Sequence, residues 1–566
     1  MQDIKEQIKT AIKKVYDIDF EPEVVPAPEN VEADYSTNAP LKIAKDLHKA
    51  PMEIAKELET FIKDSNVSNP GFLNITLTDE YLKEKIGEFE EGAKSNTHEG
   101  QVVIAEFSDP NPFKVLHVGH LYTSIMGDAI SRLYENAGAK VIRANFGGDV
   151  GLHVAKTMYI LMQKNPDTLT IEDIGKCYVE GTAAYEDDEV AHAKITELNK
   201  EIYKINAEDI HGTPLADLYW KGRELSYQYF NDFYASIGVK FDKYYPESSV
   251  AGLGLSIVER ELENGVYEKS DGAVIFDGDK YGLHTRVFIN KEGVPTYEAK
   301  DVGLIFQKDK DYHFDKSVVI TGSEQLEYMK VVLKSVEQYA PELVEKTSHL
   351  THGLVKLPGN VKMSSRKGNF LKAVDVIDLV KNALKDTYNS TDEKVVLAAI
   401  KYAFLKYKMG GNIIFDPNES VKMTGNSGPY LLYSAVRAKK ILAGVAATSA
   451  SGPRPSGPSP RADGANSRVA ALRNAPNPEL AATTERNLAK KILEYETVLN
   501  EATMEMAPHK LANYLYELAQ EFSRFYENCP VAGSEEEVER AKLVETYLKV
   551  MTHGLGLLGI EIPEEM

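Results

Sequence analysis

The sequence predicts three folding units in series: a small α+β domain, an α/β domain on a parallel sheet with a helical insertion, and an all-α bundle. Three observations lead there. The chain has 566 residues, more than one hydrophobic core organises. A strand, loop, helix and second strand follow one another within about fifty residues from Gln101, which is the signature of a βαβ unit and hence of a parallel sheet. From about Val395 onward nearly everything has helical periodicity. The boundaries expected are 1–97, 98–394 and 395–566.

In the first unit Ile4, Ile8, Ile12 and Val15 recur at helical spacing, and Ile43 to Ile62 carries a second amphipathic pattern. Gly71 to Thr78, GFLNITLT, alternates like a half-buried strand. In the second unit QVVIAEF is a short apolar run of the buried-strand kind, and Ser108 to Lys114 is turn-rich through Pro110, Asn111 and Pro112. A helix is expected from Gly119 to about Gly138, with Ile125, Ala129, Ile130 and Leu133 on one face, and VIRANFGGD follows as a strand. Residues from about 155 to 245 are helical and acidic, without strand signals, and read as an insertion. Strands return with AVIFDG, RVFIN and SVVITG. In the third unit Pro508 opens a helix whose Leu511, Leu515, Leu518, Phe522 and Phe525 mark one face. The stretch from Ala446 to Pro478 is different. It holds six prolines, five serines and eight alanines but no lysine, glutamate or aromatic residue. Such a composition buries too little apolar surface to offset its ordering entropy, so a flexible insertion is expected.

Composition narrows the function without choosing it. Hydrophobic residues make up 43% and charged residues 27% of the chain. No stretch approaches the roughly 18 apolar residues of a membrane span. The N-terminal MQDIKEQIKTAIKKVYDIDF has no apolar run, and Asp3 and Glu6 argue against an import presequence. Two cysteines, Cys177 and Cys529, cannot build a disulfide framework or a cysteine zinc site. The expected location is the reducing cytoplasm, with no membrane partner. Lys and Arg number 65 against 86 Asp and Glu, a formal charge of −21. That speaks against a uniformly basic surface, yet a local basic groove can still bind a nucleic-acid backbone.

Two segments carry chemistry. Lys114-Val-Leu-His117-Val-Gly-His120 lies where the first strand of the sheet hands over to its helix. A helix N-terminus offers unpaired N–H groups and about half a positive charge, a natural phosphate site. Gly119 removes a side chain that would hold a ligand off the backbone. Two histidines three apart can face one ligand as donors. HxxH is also compatible with a metal pair, although no HExxH glutamate or cysteine partner is near, or with two structural histidines. Four residues alone leave all three readings open. The second segment, Val361-Lys-Met-Ser-Ser-Arg-Lys-Gly-Asn369, suits a loop that closes on polyphosphate. It is equally compatible with a solvated basic turn. Lys422-Met-Thr-Gly half-matches the same pattern and reads as a decoy.

Together the segments are more specific. A strand–HxGH–helix unit followed by a KMS-type loop about 240 residues later resembles the class I aminoacyl-tRNA synthetases. The flank Glu106-Phe-Ser-Asp-Pro-Asn-Pro-Phe-Lys-Val-Leu-His-Val-Gly-His120 resembles the arginyl pattern, in which an acidic-aromatic-Ser-Ser-Pro-Asn segment precedes the histidines. GFLNITL, GVKFDKYYPESS, SDGAVIF, TYEAKD, GSEQLEYMKVV, Asn426-Ser-Gly-Pro-Tyr-Leu-Leu-Tyr-Ser-Ala-Val-Arg437 and the ending LGLLGIEIPEEM are similar to landmarks of that family. The resemblance covers most of the chain; only Ala446 to Pro478 has no counterpart.

The resemblance implies a Rossmann-type catalytic domain, an N-terminal tRNA-elbow domain and a C-terminal anticodon-binding bundle. It implies arginyl-adenylate formation from L-arginine and ATP with Mg2+, then transfer to the 2′-hydroxyl of the terminal adenosine of tRNA(Arg), with activation requiring tRNA. No protein-ligated metal is implied, and a monomer is expected. By resemblance His117, His120, Lys114, Lys362 and Arg366 are catalytic. ATP contacts fall to His117, Gly119, His120, Met363, Ser364, Ser365 and Lys367. Ser365 stands where the general class I loop has a second lysine, and Lys114 supplies the compensating charge. Glu106, Ser108, Asn111, His117, Tyr297, Asp301 and Gln325 would bind arginine, whose planar fork of donors calls for carboxylates. Asn74, Tyr430, Tyr433 and Arg437 would contact tRNA. Asp109 departs from the serine of the pattern and adds a negative charge beside the pocket. Two rival readings remain: a tRNA-binding paralogue with a dead site, and an amino-acid ligase with a small-molecule acceptor. The intact histidine motif and loop argue against the first. The C-terminal bundle argues against the second.

Overall fold

The computed structural model describes residues 2–28, 30–89, 96–166, 168–359, 371–450 and 478–566. The expected flexible insertion at 446–478 therefore falls almost wholly outside the described residues, as does the 361–369 loop.

The N-terminal unit has the helix Gln2–Tyr16, with Ile4, Ile8 and Ile12 buried as their spacing predicts. The pattern from Ile43 to Ile62 is two helices, Ala39–Leu47 and Pro51–Glu59, not one. Proline at the first position of a helix is favoured, but within one it removes a ladder bond. His48, at φ 50°, turns the chain between them. The strand read from GFLNITLT is Phe72–Ile75, inside an antiparallel sheet of four. Asp34 fastens this unit to the C-terminal bundle: its buried carboxylate meets Lys490 at 2.9 Å and Arg486 at 2.5 Å, and accepts the Leu77 N–H at 2.7 Å.

The central sheet has five strands, all parallel: β1 (Val102–Glu106), β2 (Lys140–Gly147), β3 (Lys243–Pro246), β4 (Lys316–Gly322) and β5 (Thr347–His352). Their order is β5-β4-β1-β2-β3, with Val103 opposite Val141 on one side and Lys316 on the other. The chain runs outward from β1 through β2 to β3, then returns to β4 beside β1. That reversal opens a crevice at the carboxyl ends of β1 and β4, the place where open α/β sheets bind ligands. The insertion is helical over Leu152–Lys164, Ile171–Asp187, Glu189–Ala207 and Pro214–Ser236. Its expected end at 245 is too late, because β3 begins at Lys243 and pairs with β2. The alternating signal that marks a half-buried strand is lost in a short edge strand such as KYYP.

Helix α1 (Val118–Asn136) follows β1. The sequence shows one apolar face, yet fourteen of its nineteen residues are buried. Helices of the C-terminal bundle cover the side away from the sheet, and the hydroxyls of Thr123, Ser124 and Ser131 bond back to carbonyls one turn earlier. The bundle includes Pro508–Asn528, in which Leu511, Leu515, Leu518, Phe522 and Phe525 are buried as expected. Among the described residues no helix is long and apolar enough to cross a membrane, and no disulfide joins Cys177 to Cys529.

Helices α2 (Glu247–Glu263) and α3 (Tyr297–Tyr312) cross in contact. A Cβ on Gly254 would lie 1.9 Å from the Ala299 carbonyl oxygen, and one on Gly303 2.4 Å from that of Val250. Glycine is required because backbone meets backbone. Gly254→Ala should therefore destabilise the protein by about 1–3 kcal/mol or more in urea unfolding. Gly252→Ala, exposed in the same helix with nothing within 4 Å of its Cβ, should not lower the midpoint and should raise stability by up to about 1 kcal/mol, since alanine is the better helix former.

Candidate active site

The turn between β1 and α1 departs from ordinary backbone three times. Ser108 has φ 73°, Asp109 φ 50° and Phe113 φ 65°, left-handed values that side chains other than glycine rarely adopt and that collect at functional sites. Side-chain bonds hold the turn: Asp109 Oδ1 accepts from the Phe146 N–H at 2.7 Å, and Asn111 Oδ1 accepts from Gly148 at 2.7 Å. The Ser108 hydroxyl is engaged with that of Tyr234 at 2.8 Å.

His117 is the N-cap of α1. Its Nδ1 accepts the Gly119 N–H at 3.1 Å, and His120 Nδ1 accepts the His117 N–H at 3.1 Å. The rings stack 3.7 Å apart. With Nδ1 accepting in both, each neutral ring carries its proton on Nε2. Burial lowers the pKa of His117 to about 4, helped by Lys114. Burial likewise takes His120 well below the usual range, with His117 adding to it. Both are neutral donors at physiological pH. Lys114 sits 4.8 Å over the Tyr178 ring and lines a side pocket of about 110 Å³ with Asn111, His117 and His120. Its pKa is brought down to about 8 by burial, against the pull of Glu247.

The crevice itself is a cavity of about 730 Å³. It gathers Glu106, Ser108, Asn111, His117, Gly119, His120, Tyr297, Asp301 and Gln325 from the sequence expectations. Side chains that sequence reasoning missed complete it. Lys308 pairs with Glu106 at 2.5 Å, Lys300 with Glu247 at 2.7 Å, and Arg286 with Glu298 at 3.2 Å. Asp301 accepts a short hydrogen bond from the Tyr328 hydroxyl. Burial pushes the Asp301 pKa up to about 8, with Glu106 and Glu247 adding to the rise and Tyr328 opposing it. Asp109 is raised as well, by burial and then by Glu106, so the extra negative charge expected there is one these surroundings resist. His352 also reaches the cavity; its Nδ1 is 2.6 Å from the Gly353 carbonyl.

Lys362, Met363, Ser364, Ser365, Arg366 and Lys367 lie outside the described residues. The chain re-enters at Leu371, whose carbonyl accepts the Val118 N–H at 2.9 Å, while Ala373 N–H bonds to Leu116 at 3.0 Å. Residues 371–373, which follow the second motif in sequence, are thus paired with the start of α1. The decoy is separate: Lys422 pairs with Glu419 at 2.6 Å.

The remaining candidates sit elsewhere. Asn74 is buried in the N-terminal sheet, bonded to Ser36, Asn66 and Ser68. Tyr430 turns inward and donates to the Ala519 carbonyl at 3.3 Å. Tyr433 is 38% exposed and Tyr526 44%, with the Arg437 guanidinium between them, 4.6 and 4.3 Å from the ring centres. Among the described residues no group of three or more His, Cys, Asp or Glu is arranged to hold a metal ion.

Comparison with known proteins places this arrangement. Residues 86–416 match the family of class I (R) tRNA synthetase catalytic domains. Residues 2–77 match the arginyl-tRNA synthetase N-terminal domain, and 460–566 the DALR anticodon-binding domain. An arginine–tRNA ligase of Porphyromonas gingivalis is 29% identical over 541 residues, covering 88% of this chain and 86% of that one. One of Bacteroides thetaiotaomicron is 28% identical over 570 residues, covering 92% and 91%. Among solved structures, Thermus thermophilus arginyl-tRNA synthetase shares the fold with a TM-score of 0.77 at 24% identity, over 100% of both chains. The Plasmodium falciparum arginyl-tRNA synthetase does so with 0.73 at 20%, over 100% of this chain and 99% of that one.

The state of Asp301 gives a pH dependence with a definite sign. With its pKa at about 8, the carboxyl is largely protonated at neutral pH, and an entering cation favours the ionised form. Uptake of methylguanidinium should release a proton at pH 7, and affinity should fall by up to about tenfold per unit as pH drops below 8. Calorimetric titration in buffers of different ionisation enthalpy reads this directly. Binding with no proton released would refute it.

Proposed function

The chain belongs to the class I arginyl-tRNA synthetases, and on that premise we propose how its own residues charge tRNA(Arg) with arginine. The arginine carboxylate attacks the α-phosphorus of ATP, and the bond to the β-phosphate breaks with release of pyrophosphate. The 2′-hydroxyl of the terminal adenosine then attacks the adenylate carbonyl, and AMP departs. Catalysis of this kind is positioning and charge stabilisation. Magnesium enters as part of the ATP substrate.

The observation that carries this reading is the pair of backbone bonds to the two histidine rings. Both Nδ1 atoms are taken by backbone N–H groups, so both Nε2–H groups serve as neutral donors to the phosphates. They do so at the N-terminus of α1, where the helix already favours an anion. Lys114 adds the cation near the departing pyrophosphate. Lys362, Arg366 and Lys367 are assigned to the same charge. Asp301, supported by Tyr328, is assigned to the guanidinium, with Glu106, Tyr297 and Gln325 around the side chain. Lysine cannot satisfy a site built for a planar fork.

The C-terminal bundle, from about 395, would read the anticodon. Single-stranded bases stack on exposed aromatic and guanidinium planes, and Tyr433, Arg437 and Tyr526 form such a platform. The N-terminal unit, 1–97, is assigned to the tRNA elbow. The cytoplasm, where tRNA and ATP meet, is the proposed location. The dead-paralogue reading is disfavoured by the complete histidine geometry, and the small-acceptor ligase by the anticodon-binding match.

ATP–pyrophosphate exchange with arginine, with and without tRNA(Arg), and with lysine as control, tests the reading. Exchange requiring arginine and tRNA together is expected. Exchange without tRNA would remove the proposal that tRNA completes the site, and none under any condition, from folded protein, would favour the paralogue. Tyr433→Ala should raise the KM for tRNA about tenfold, from one lost stacking contact, and leave the KM for arginine unchanged. Equal KM for tRNA in both proteins would dismiss the platform.

A further inference from the structure

Six acidic side chains reach the wall of the main cavity: Glu106, Asp109, Glu247, Glu298, Asp301 and Glu324. Three are neutralised by cations the fold supplies, Lys308, Lys300 and Arg286. Glu324 stands in solvent. Asp109 and Asp301 are left. Asp301 accepts from Tyr328, and Asp109 accepts the Phe146 N–H through Oδ1 only. Among the described residues neither has a cation within ion-pair distance. Two uncompensated carboxylates in one walled cavity repel each other and resist ionisation, unless the ligand brings two positive charges. Arginine brings two, the guanidinium and the α-ammonium.

The chemistry orients them. The substrate carboxylate must meet the phosphates at His117 and His120, and the α-ammonium is attached one carbon from that carboxylate. It therefore binds on the side of the cavity nearest the histidines. Asp109 belongs to the loop that ends at His117. Asn111, two residues on, lines both the cavity and the side pocket shared with the two histidines. Asp301 stands on a different element, α3, beside Tyr328 of the helix Leu326–Glu337. We infer that Asp109 receives the α-ammonium group of the arginine substrate, so that the two unpaired carboxylates divide the two cations of one ligand. This rests on L-arginine being the substrate.

The backbone favours a clean test. Asparagine tolerates left-handed φ well, and both asparagine and serine can still accept the Phe146 N–H. Two probes separate the cations in the aminoacylation assay. Agmatine keeps both cations and lacks the carboxylate; 5-guanidinopentanoate keeps the guanidinium and carboxylate and lacks the ammonium.

Asp109→Asn should raise the KM for arginine and the Ki of agmatine by about 10- to 100-fold, the worth of a charged hydrogen bond. The Ki of 5-guanidinopentanoate should be unchanged. Asp301→Asn should raise both inhibition constants. Asp109→Ser serves if the asparagine variant does not fold, and an unaltered KM for tRNA in either variant marks intact architecture. Equal weakening of both probes by the Asp109 variants, or of neither, would overturn the inference. Wild-type protein that folds but charges no tRNA would instead remove the arginine reading on which it rests.

Discussion

Two backbone hydrogen bonds at the start of α1 hold the rest of the site in order. Gly119 N–H to His117 Nδ1 and His117 N–H to His120 Nδ1 satisfy two donors that any helix start leaves open. In doing so they fix each ring's position and tautomer. A proton on either Nδ1 would break the bond that ring accepts, so the full cap exists only while both rings are neutral, and burial keeps them neutral. On the proposed reading, helix cap and phosphate donor are the same object. The role of Gly119 follows from that. A Cβ on it would lie 2.9 Å from His117 Cε1, so the glycine makes room first for the capping ring. Its φ is not in the left-handed region, and closeness rather than conformational freedom is what it provides.

The ion pairs of the cavity do complementary work. A buried pair contributes little net stability, because desolvating both charges offsets their attraction. What Glu106–Lys308 and Glu247–Lys300 provide is fixed placement. Each ties a strand end or a helix start to α3, the helix that also carries Tyr297 and Asp301. Lys300 reaches further, donating to the Tyr203 hydroxyl at 2.9 Å and so joining the inserted helices to the catalytic wall. Asp149 does likewise, binding Arg223 at 2.9 Å and the Ser248 hydroxyl at 2.8 Å. The insertion is therefore tied to the site, lining its side pocket through Gly175 and Tyr178, and its acidic, polar composition gives no hint of that role.

What was legible in the sequence follows the range of the interactions. The β1–loop–α1 unit was readable because strand, turn, cap and helix are set by neighbours along the chain. Lys114, His117, Gly119 and His120 came from a run of seven residues. Arg286, Glu298, Lys308, Tyr328 and His352 were invisible as site residues, because they converge only through the order of strands in the sheet. The segments holding Glu247, Glu298 and Tyr328 were visible as family landmarks, PESS, TYEAKD and GSEQLEYMKVV; the resemblance singled out Tyr297, Asp301 and Gln325 there but not these neighbours on the same wall. The short edge strand at Lys243 was lost between helices. Tyr430 and Tyr433 look alike in the sequence, and only the structure separates them: the Tyr430 hydroxyl is committed to the Ala519 carbonyl, while Tyr433 is exposed beside Arg437.

The burial of α1 on both sides joins the reading of tRNA to the chemistry. Its far end is held by the bundle: Asn136 accepts from His553 Nε2 at 3.0 Å, and His553 Nδ1 meets the Tyr495 hydroxyl at 2.6 Å. Lys401 donates to the Gly559 carbonyl at 2.5 Å, beside Arg132 and Asp128 of α1. Asp128 in turn bonds Arg143 of β2 at 3.2 Å. A helix packed in this way has no solvent face into which a displacement can relax. Movement of the bundle must be taken up by sliding α1 along the sheet or by breaking these bonds. The histidines cap that same helix, so sliding it would move the proposed phosphate donors directly. The proposed requirement for tRNA in the first chemical step thus needs no separate messenger: the element that would shift when the bundle is occupied is the one that carries His117 and His120.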